Sequence, residues 1–274
     1  MKGRNWREFE PPKKRRRRKE SVPCQHKRGR KRRRKRSGVL RRLMLLALLF
    51  IVGYGGFFLY YRYSKPYTVV LDAGHGGVDV GSSGVIDEVE LTEQTVAALT
   101  ERLKADGRFR VVLTREAGQG MSIDDRNHKA VRIQPDLLLS VHANAEESGT
   151  AEGFECYPAV PGMENHEVSM AFALILAEEM EAAGSALRGG NGVRFGYYVN
   201  GDEKLLVDST DTTIYSYDTF GILKHLDCAA VLVEQCFVTN AADVERFGTE
   251  EGCQKAAQAY YQAILRYLHA EEQS

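Results

Sequence analysis

Residues 64–274 are predicted to form a single α/β domain, a mostly parallel sheet covered on both sides by helices, preceded by one transmembrane helix. Three observations predict this. Short apolar, β-branched runs alternate with segments of helical period from residue 67 to residue 269. Two of those runs, Asp136–His142 (DLLLSVH) and Cys228–Glu234 (CAAVLVE), are continuously apolar up to their ends, as strands buried on both faces are. One uncharged stretch, Leu43–Tyr61, is 19 residues long. At 1.5 Å per residue it spans about 28 Å, close to the hydrocarbon thickness of a bilayer.

The elements of the domain follow in chain order. Tyr67–Asp72 (YTVVLD) reads as a strand ended by the AGHGG turn. Glu90–Asp106 reads as a helix, with Leu91, Val96, Leu99 and Leu103 near one face and Gly107 closing it. Arg110–Thr114 is a second strand. Ser122 caps the next helix, with Asp125 three residues on as its capping-box partner, and Pro135 lies past the end of that helix. Asp136–His142 is the third strand and Gly153–Tyr157 a short fourth. Glu164–Ala183 is a helix followed by Gly184. Cys228–Glu234 is the last buried strand, and Ala241–Phe247 and Glu250–His269 are the closing helices. Segment 185–224 is rich in Gly, Asp, Thr and Tyr without a clear period, and reads as a long excursion able to line a cleft.

Charge divides the chain. Of 38 Lys+Arg and 37 Asp+Glu, residues 1–42 hold 21 cations and 3 Glu, so the tail is strongly basic and the remainder acidic. Lys13–Lys19 and Lys31–Arg36 are unbroken runs of cations, which repel and stay solvated, so residues 1–42 are expected to be disordered. Such a tail alone suits nucleic acid or anionic lipid. The apolar span that follows favours lipid, with no nucleic acid expected. Arg41 and Arg42 abut one end of the span, and Tyr60, Tyr61 and Tyr63 flank the other. Residues 43–63 are therefore expected to be an uncleaved signal-anchor, with the N-terminus cytoplasmic and residues 64–274 outside the cell membrane. A cleaved signal would have a shorter apolar core and small residues after it, whereas Phe57–Tyr63 is bulky. Cys156, Cys228, Cys236 and Cys253 are expected to be unpaired buried thiols. Cys228 and Cys236, at the two ends of one strand, stand too far apart to bond.

Polar residues crowd the strand ends, where sites form in open α/β sheets. The first strand ends in Asp72-Ala73-Gly74-His75-Gly76-Gly77, the third in Ser140-Val141-His142-Ala143-Asn144-Ala145, and the last in Val233-Glu234-Gln235. If these strands are parallel neighbours, His75, His142 and Glu234 converge, with Glu88 at the start of the first helix as a fourth candidate. Two imidazoles and a carboxylate suit a three-ligand zinc site, and a second carboxylate beside it suits proton transfer. Read singly, each of these residues has a plainer account: a turn histidine, a tight GHGG turn, a carboxylate in a buried ion pair. His225 with Cys228 has ligand-like spacing but reads as a turn before a strand. His128, His166 and His269 read as surface positions on helices.

The stretches VVLDAGHGGVDVGSSG, VVLTRE, SIDDRNHKA, DLLLSVHANA, GFECYP and AAVLVEQCFVTN, in this order, resemble the zinc-dependent N-acetylmuramoyl-L-alanine amidases of the bacterial cell wall. The chain is also similar to the membrane-anchored amidases of spore-forming bacteria. The resemblance implies a twisted, mixed sheet flanked by helices, one Zn2+ per chain, and peptidoglycan as substrate. It implies His75 and His142 as metal ligands and Glu234 as the catalytic acid–base. For the middle ligand, Glu88 fits the family's pattern best, with Glu90 and Glu93 as alternatives. Arg126 matches a family arginine that orients substrate or supports the fold, and Asn144 is a second substrate-binding candidate. The chain departs from the family at Cys236, where Gly is usual, at Gln235 before it, at Val131, where Asn is common, and in its longer excursion. These bear on substrate fit and rate. Two other activities stay open at this level: a peptidoglycan-binding domain that has lost catalysis, and a zinc hydrolase of another amide.

Overall fold

In the computed structural model, residues 29–63, 67–201 and 203–271 are described, and the chain divides into two units at Phe58/Leu59. Helix α1 covers Gly29–Tyr63, and its stretch Gly38–Tyr60 is the one helix among the described residues long and apolar enough to cross a membrane. The helix starts well inside the basic segment expected to be disordered. Residues 29–42 extend it because Lys and Arg are good helix formers, and adding turns to an existing helix needs no new nucleus. The basic run Lys13–Lys19 and Cys24 lie outside the described residues.

The second unit is built on a five-stranded sheet of order β2-β1-β3-β8-β4. Its strands are β1 (Tyr67–Ala73), β2 (Phe109–Leu113), β3 (Leu137–Asn144), β4 (Glu155–Pro158) and β8 (Ala229–Phe237). The pairs β1–β2, β1–β3 and β3–β8 are parallel, and β4 closes the edge antiparallel to β8. The sheet is thus mostly parallel, as expected from its continuously apolar strands. Alternate residues feed two cores. Val69, Leu71, Leu137, Leu139, Val231 and Val233 pack under helices α2 (Glu88–Asp106), α4 (His166–Ala182) and α6 (Glu250–Glu271). Val70, Leu138, Ala230 and Leu232 face the other way, onto α3 (Ile123–Ile133) and the 3-10 turn Gly221–Leu223. Period-two alternation explains why these strands carry no polar face.

Most boundaries move by one or two residues from the sequence reading. Helix α2 begins at Glu88 rather than Glu90, and β8 runs on to Phe237. Ser122 caps α3 as expected, accepting from the Asp125 amide. Helix α5 is Ala241–Phe247. The larger correction is the excursion. Residues 194–219 form a second, antiparallel sheet of order β6-β5-β7, from β5 (Arg194–Val199), β6 (Glu203–Asp208) and β7 (Asp218–Thr219). Phe195 and Tyr197 bury one face of it in a small core with Val160. The strands were not legible because Gly196 interrupts β5 and charges occupy both ends of β6.

All four cysteines of this unit are free; Cys156, Cys236 and Cys253 are buried, whereas Cys228 is only half-buried. His166 is likewise half-buried rather than on the surface, with Nδ1 2.8 Å from the Ala159 carbonyl and its ring against Phe195. His128 is exposed, and the His269 side chain lies outside the described residues.

Candidate metal centre and active-site cleft

The parallel register sets the site. His142 on β3 is paired directly with Glu234 on β8, and β1 beside them ends in the turn that carries His75. By alternation along their strands, His142 and Glu234 share the sheet face covered by α3. Beyond Glu234 the ladder slips: His142 pairs with Glu234 but Asn144 with Phe237, so β8 carries one extra residue. A bulge of this kind re-aims side chains. Here it turns Cys236 into the core under the helices, away from the cleft. Val131 packs against the opposite core and also stays out of the cleft. Neither departure from the family pattern lines the site.

Donor atoms of His75, Glu88 and His142 all lie within 4.8 Å of one another. Glu88 Oε1 sits 3.1 Å from His75 Nε2 and 2.9 Å from His142 Nδ1. Glu88 is 3% exposed, and the Ala143 and Ser82 amides donate to its two oxygens. The other candidates point elsewhere. Glu90 is exposed and bonded to Gln94, and Glu93 accepts from Arg115 and the Gly118 amide. His225 is exposed in a left-handed turn before β8 and joins no metal-binding cluster among the described residues.

The loop after β1 is shaped to present His75. His75 itself adopts φ 61°, a conformation rare for a non-glycine residue and frequent at functional sites. A Cβ on Gly74 would stand 2.5 Å from the His142 ring, so only glycine lets the loop pass that close. The buried guanidinium of Arg115 donates to the carbonyls of Ala73 and Gly74 and fixes the loop to the sheet. Asp79 Oδ2 lies 2.9 Å from His75 Nδ1. A proton held there leaves Nε2 as the free lone pair facing Glu88, the arrangement that orients metal-bound histidines. Asp79 and Arg115 escaped the sequence reading because their roles depend on contacts across the loop rather than on spacing.

The charged groups of the cluster act strongly on one another. Burial opposes charge on Glu88, yet the two histidines hold its carboxyl well below the usual range. Burial also disfavours charge on His75, but Glu88 and Asp79 outweigh it and push the imidazole up to about 8. Burial, with the Glu88 charge beside it, raises Glu234 to about 8. Glu234 Oε2 is buried without a hydrogen-bond partner among the described residues, and no ion pair involves it. A buried carboxylate oxygen without a partner, beside two histidines and a second acid, suits a bound cation and its water. The donor set therefore fits a divalent metal, and among the described residues no cation stands at ion-pair distance from Glu234, while Lys204 acts on it from farther off.

The cleft around these groups measures about 540 Å³ and is also lined by Arg126, Asn144, Tyr198, Lys204 and Phe220. Arg126 is buried and donates to both Asp72 carboxylate oxygens, at 3.2 and 3.3 Å, and to the Ala73 carbonyl. Thr114 and Ser140 also donate to Asp72. Asn144 donates to buried Glu155, which pairs with Arg188 and Arg194. Tyr198, Lys204 and Phe220 come from the excursion, which does line the cleft.

Comparison with known proteins agrees with this geometry. Residues 69–266 match the family model for N-acetylmuramoyl-L-alanine amidase. Over 201 residues the chain is 29% identical to the amidase LytC of Bacillus subtilis, covering 73% of this chain but only 35% of LytC. It is 27% identical to the amidase AmiA of Escherichia coli, covering 74% of this chain and 76% of that one. Among solved structures, an amidase from Clostridium difficile 630 superposes with TM-score 0.61 at 25% identity, over 75% of this chain and 98% of its own. The matched span begins in β1 and ends in α6, so it contains all of the five-stranded sheet except Tyr67 and Thr68, with both histidines and both acids of the site. By that match this chain belongs to the N-acetylmuramoyl-L-alanine amidase family.

Proposed function

We propose that this chain is a zinc-dependent hydrolase of the amide between N-acetylmuramic acid and L-alanine in peptidoglycan. The observation that carries the proposal is the cluster of His75, Glu88 and His142 beside an orphaned Glu234 oxygen. The three residues would hold one Zn2+. When bound, zinc supplies a Lewis acid that polarises the amide carbonyl and acidifies water. Glu234, raised by burial and by the neighbouring Glu88 charge, would take its carboxylate form more readily once that charge is balanced. Glu234 then takes a proton from the attacking water and passes it to the leaving nitrogen. One C–O bond forms and the C–N bond breaks, giving a lactyl carboxylate on the glycan and a peptide with a free L-Ala amine. Arg126 acts through Asp72 to hold the β1 end rather than as a free substrate contact, and Asn144 lines the cleft beside His142.

In this proposal, Gly38–Tyr60 anchors the enzyme in the cell membrane, the basic tail meets anionic lipid on the cytoplasmic side, and the domain faces the wall. The test is to incubate the full chain, in detergent micelles, with purified peptidoglycan, with chelator or with added zinc. Mass spectrometry should find intact stem peptides that begin at L-Ala, only when metal is present. Retention on peptidoglycan without release would mean a binding domain. Turnover of small amides but not of peptidoglycan would mean another substrate.

A further inference from the structure

The excursion brings to the cleft the cation of Lys204, whose charge acts on Glu234 although no ion pair joins the two. Lys204 on β6 stands opposite Tyr198 on β5, and both line the cleft with Phe220. The Lys204 ammonium lies 5.6 Å from the centre of the Phe220 ring. Among the described residues, no carboxylate forms an ion pair with it. Arg126, the other permanent cation of the cleft, is already committed to Asp72. Glutamate 203, next along the strand, points to the opposite face of the hairpin by the alternation of side chains. The ammonium rests against an aromatic face with no carboxylate oxygen at ion-pair distance, so its charge is open to a bound anion as well as to Glu234.

The chemistry of the substrate says where that anion sits. In the proposed substrate the glycan is N-acetylated and uncharged, and the muramoyl carboxyl is consumed in the scissile amide. Its carboxylates belong to the peptide. The carboxyl of the first residue is itself in a peptide bond, so where the second residue is acidic and linked onward through its side-chain carboxyl, the nearest free one is its α-carboxylate. We propose that Lys204 is a specificity-determining residue that pairs with this α-carboxylate and so selects stem peptides in which it is free over those in which it is a carboxamide. The inference rests on the amidase reading above.

The experiment measures binding apart from turnover. Zinc-loaded full chain carrying Glu234→Gln, in detergent micelles, is titrated with two muramoyl peptides that differ only in a free or amidated α-carboxyl at the second residue. The carboxylate peptide should bind roughly 5–20-fold more tightly, with a preference that falls as salt rises. Lys204→Met, which keeps an apolar stem on Phe220, should bring the ratio to about one, and Lys204→Arg should keep it. An unchanged ratio in Lys204→Met, no preference before that substitution, or no binding of either peptide would overturn the inference. Cleavage is scored separately on the chain with Glu234 intact. If the Lys204-dependent preference holds but neither peptide is cleaved, the amidase reading fails and the assignment of Lys204 stands.

Discussion

Glu234 shows how one side chain separates catalysis from architecture. It is buried, its Oε2 lacks a partner, and burial raises its carboxyl to about 8. The folded chain therefore holds this proton between the ordinary value of 4.5 and about 8, while the unfolded chain has released it. Stability from this group is complete below pH 4.5 and is lost as pH rises through about 8. In chelator, Glu234→Gln should flatten the fall in melting temperature across that window and leave the variant more stable than the parent above pH 8. A less stable variant would restore the ion-pair account. With zinc bound, the same variant should stay folded and metal-loaded while hydrolysis drops by about 10²–10⁴-fold. At the neighbouring acids, Glu88→Gln should lose zinc in metal analysis, whereas Glu90→Gln and Glu93→Gln should retain it, because only Glu88 reaches both histidines. Buried Arg126 carries a different expectation. Arg126→Met leaves Asp72 without its counter-charge, and removing one partner of a buried pair costs about 3–5 kcal/mol in chemical denaturation.

At the scale of elements, the β5–β6–β7 sheet is the wall of the cleft rather than part of the metal centre. Gly196 on β5 is the contact that sets it: a Cβ there would stand 2.4 Å from the Phe220 ring, which lines the cleft. Gly196→Ala should displace Phe220 and lower kcat/KM on peptidoglycan by on the order of tenfold or more, since small misplacements of positioning groups are costly. Its zinc content should match the parent, because the three proposed ligands sit in the loop after β1, on α2 and on β3, none of which is paired with β5. Equal loss of metal and activity would place the small sheet inside the metal centre instead. The extra residue in β8 works the other way, sending Cys236 to the core and leaving Glu234 at the cleft.

For the whole molecule, the proposed topology makes a direct prediction. Protease added to intact protoplasts should digest the domain and spare the basic tail, and protection of the domain would remove both the anchor orientation and the wall substrate. The fold class, the strand and helix sequence and the chemistry of the strand ends were legible in the chain alone. Hydrophobic period reports burial, and in this sheet burial on both faces wrote itself as uninterrupted apolar runs in β3 and β8. His142 and Glu234 stood out because each ends such a run, and His75 because it follows β1 in the AGHGG turn. The sequence favoured Glu88 over Glu90 and Glu93 only by resemblance, since spacing along a helix start cannot say which carboxylate turns inward. Packing of α2 against β3 is what sets Glu88, and neither of the others, against both histidines. The excursion stayed unread for the same reason: Phe195 and Tyr197 gain burial against Val160, outside the excursion, so no local period marks its strands. Local pattern determined which segments form the sheet and which chemistry its ends carry, while long-range contacts decided which residues meet there and what forms the wall of the cleft.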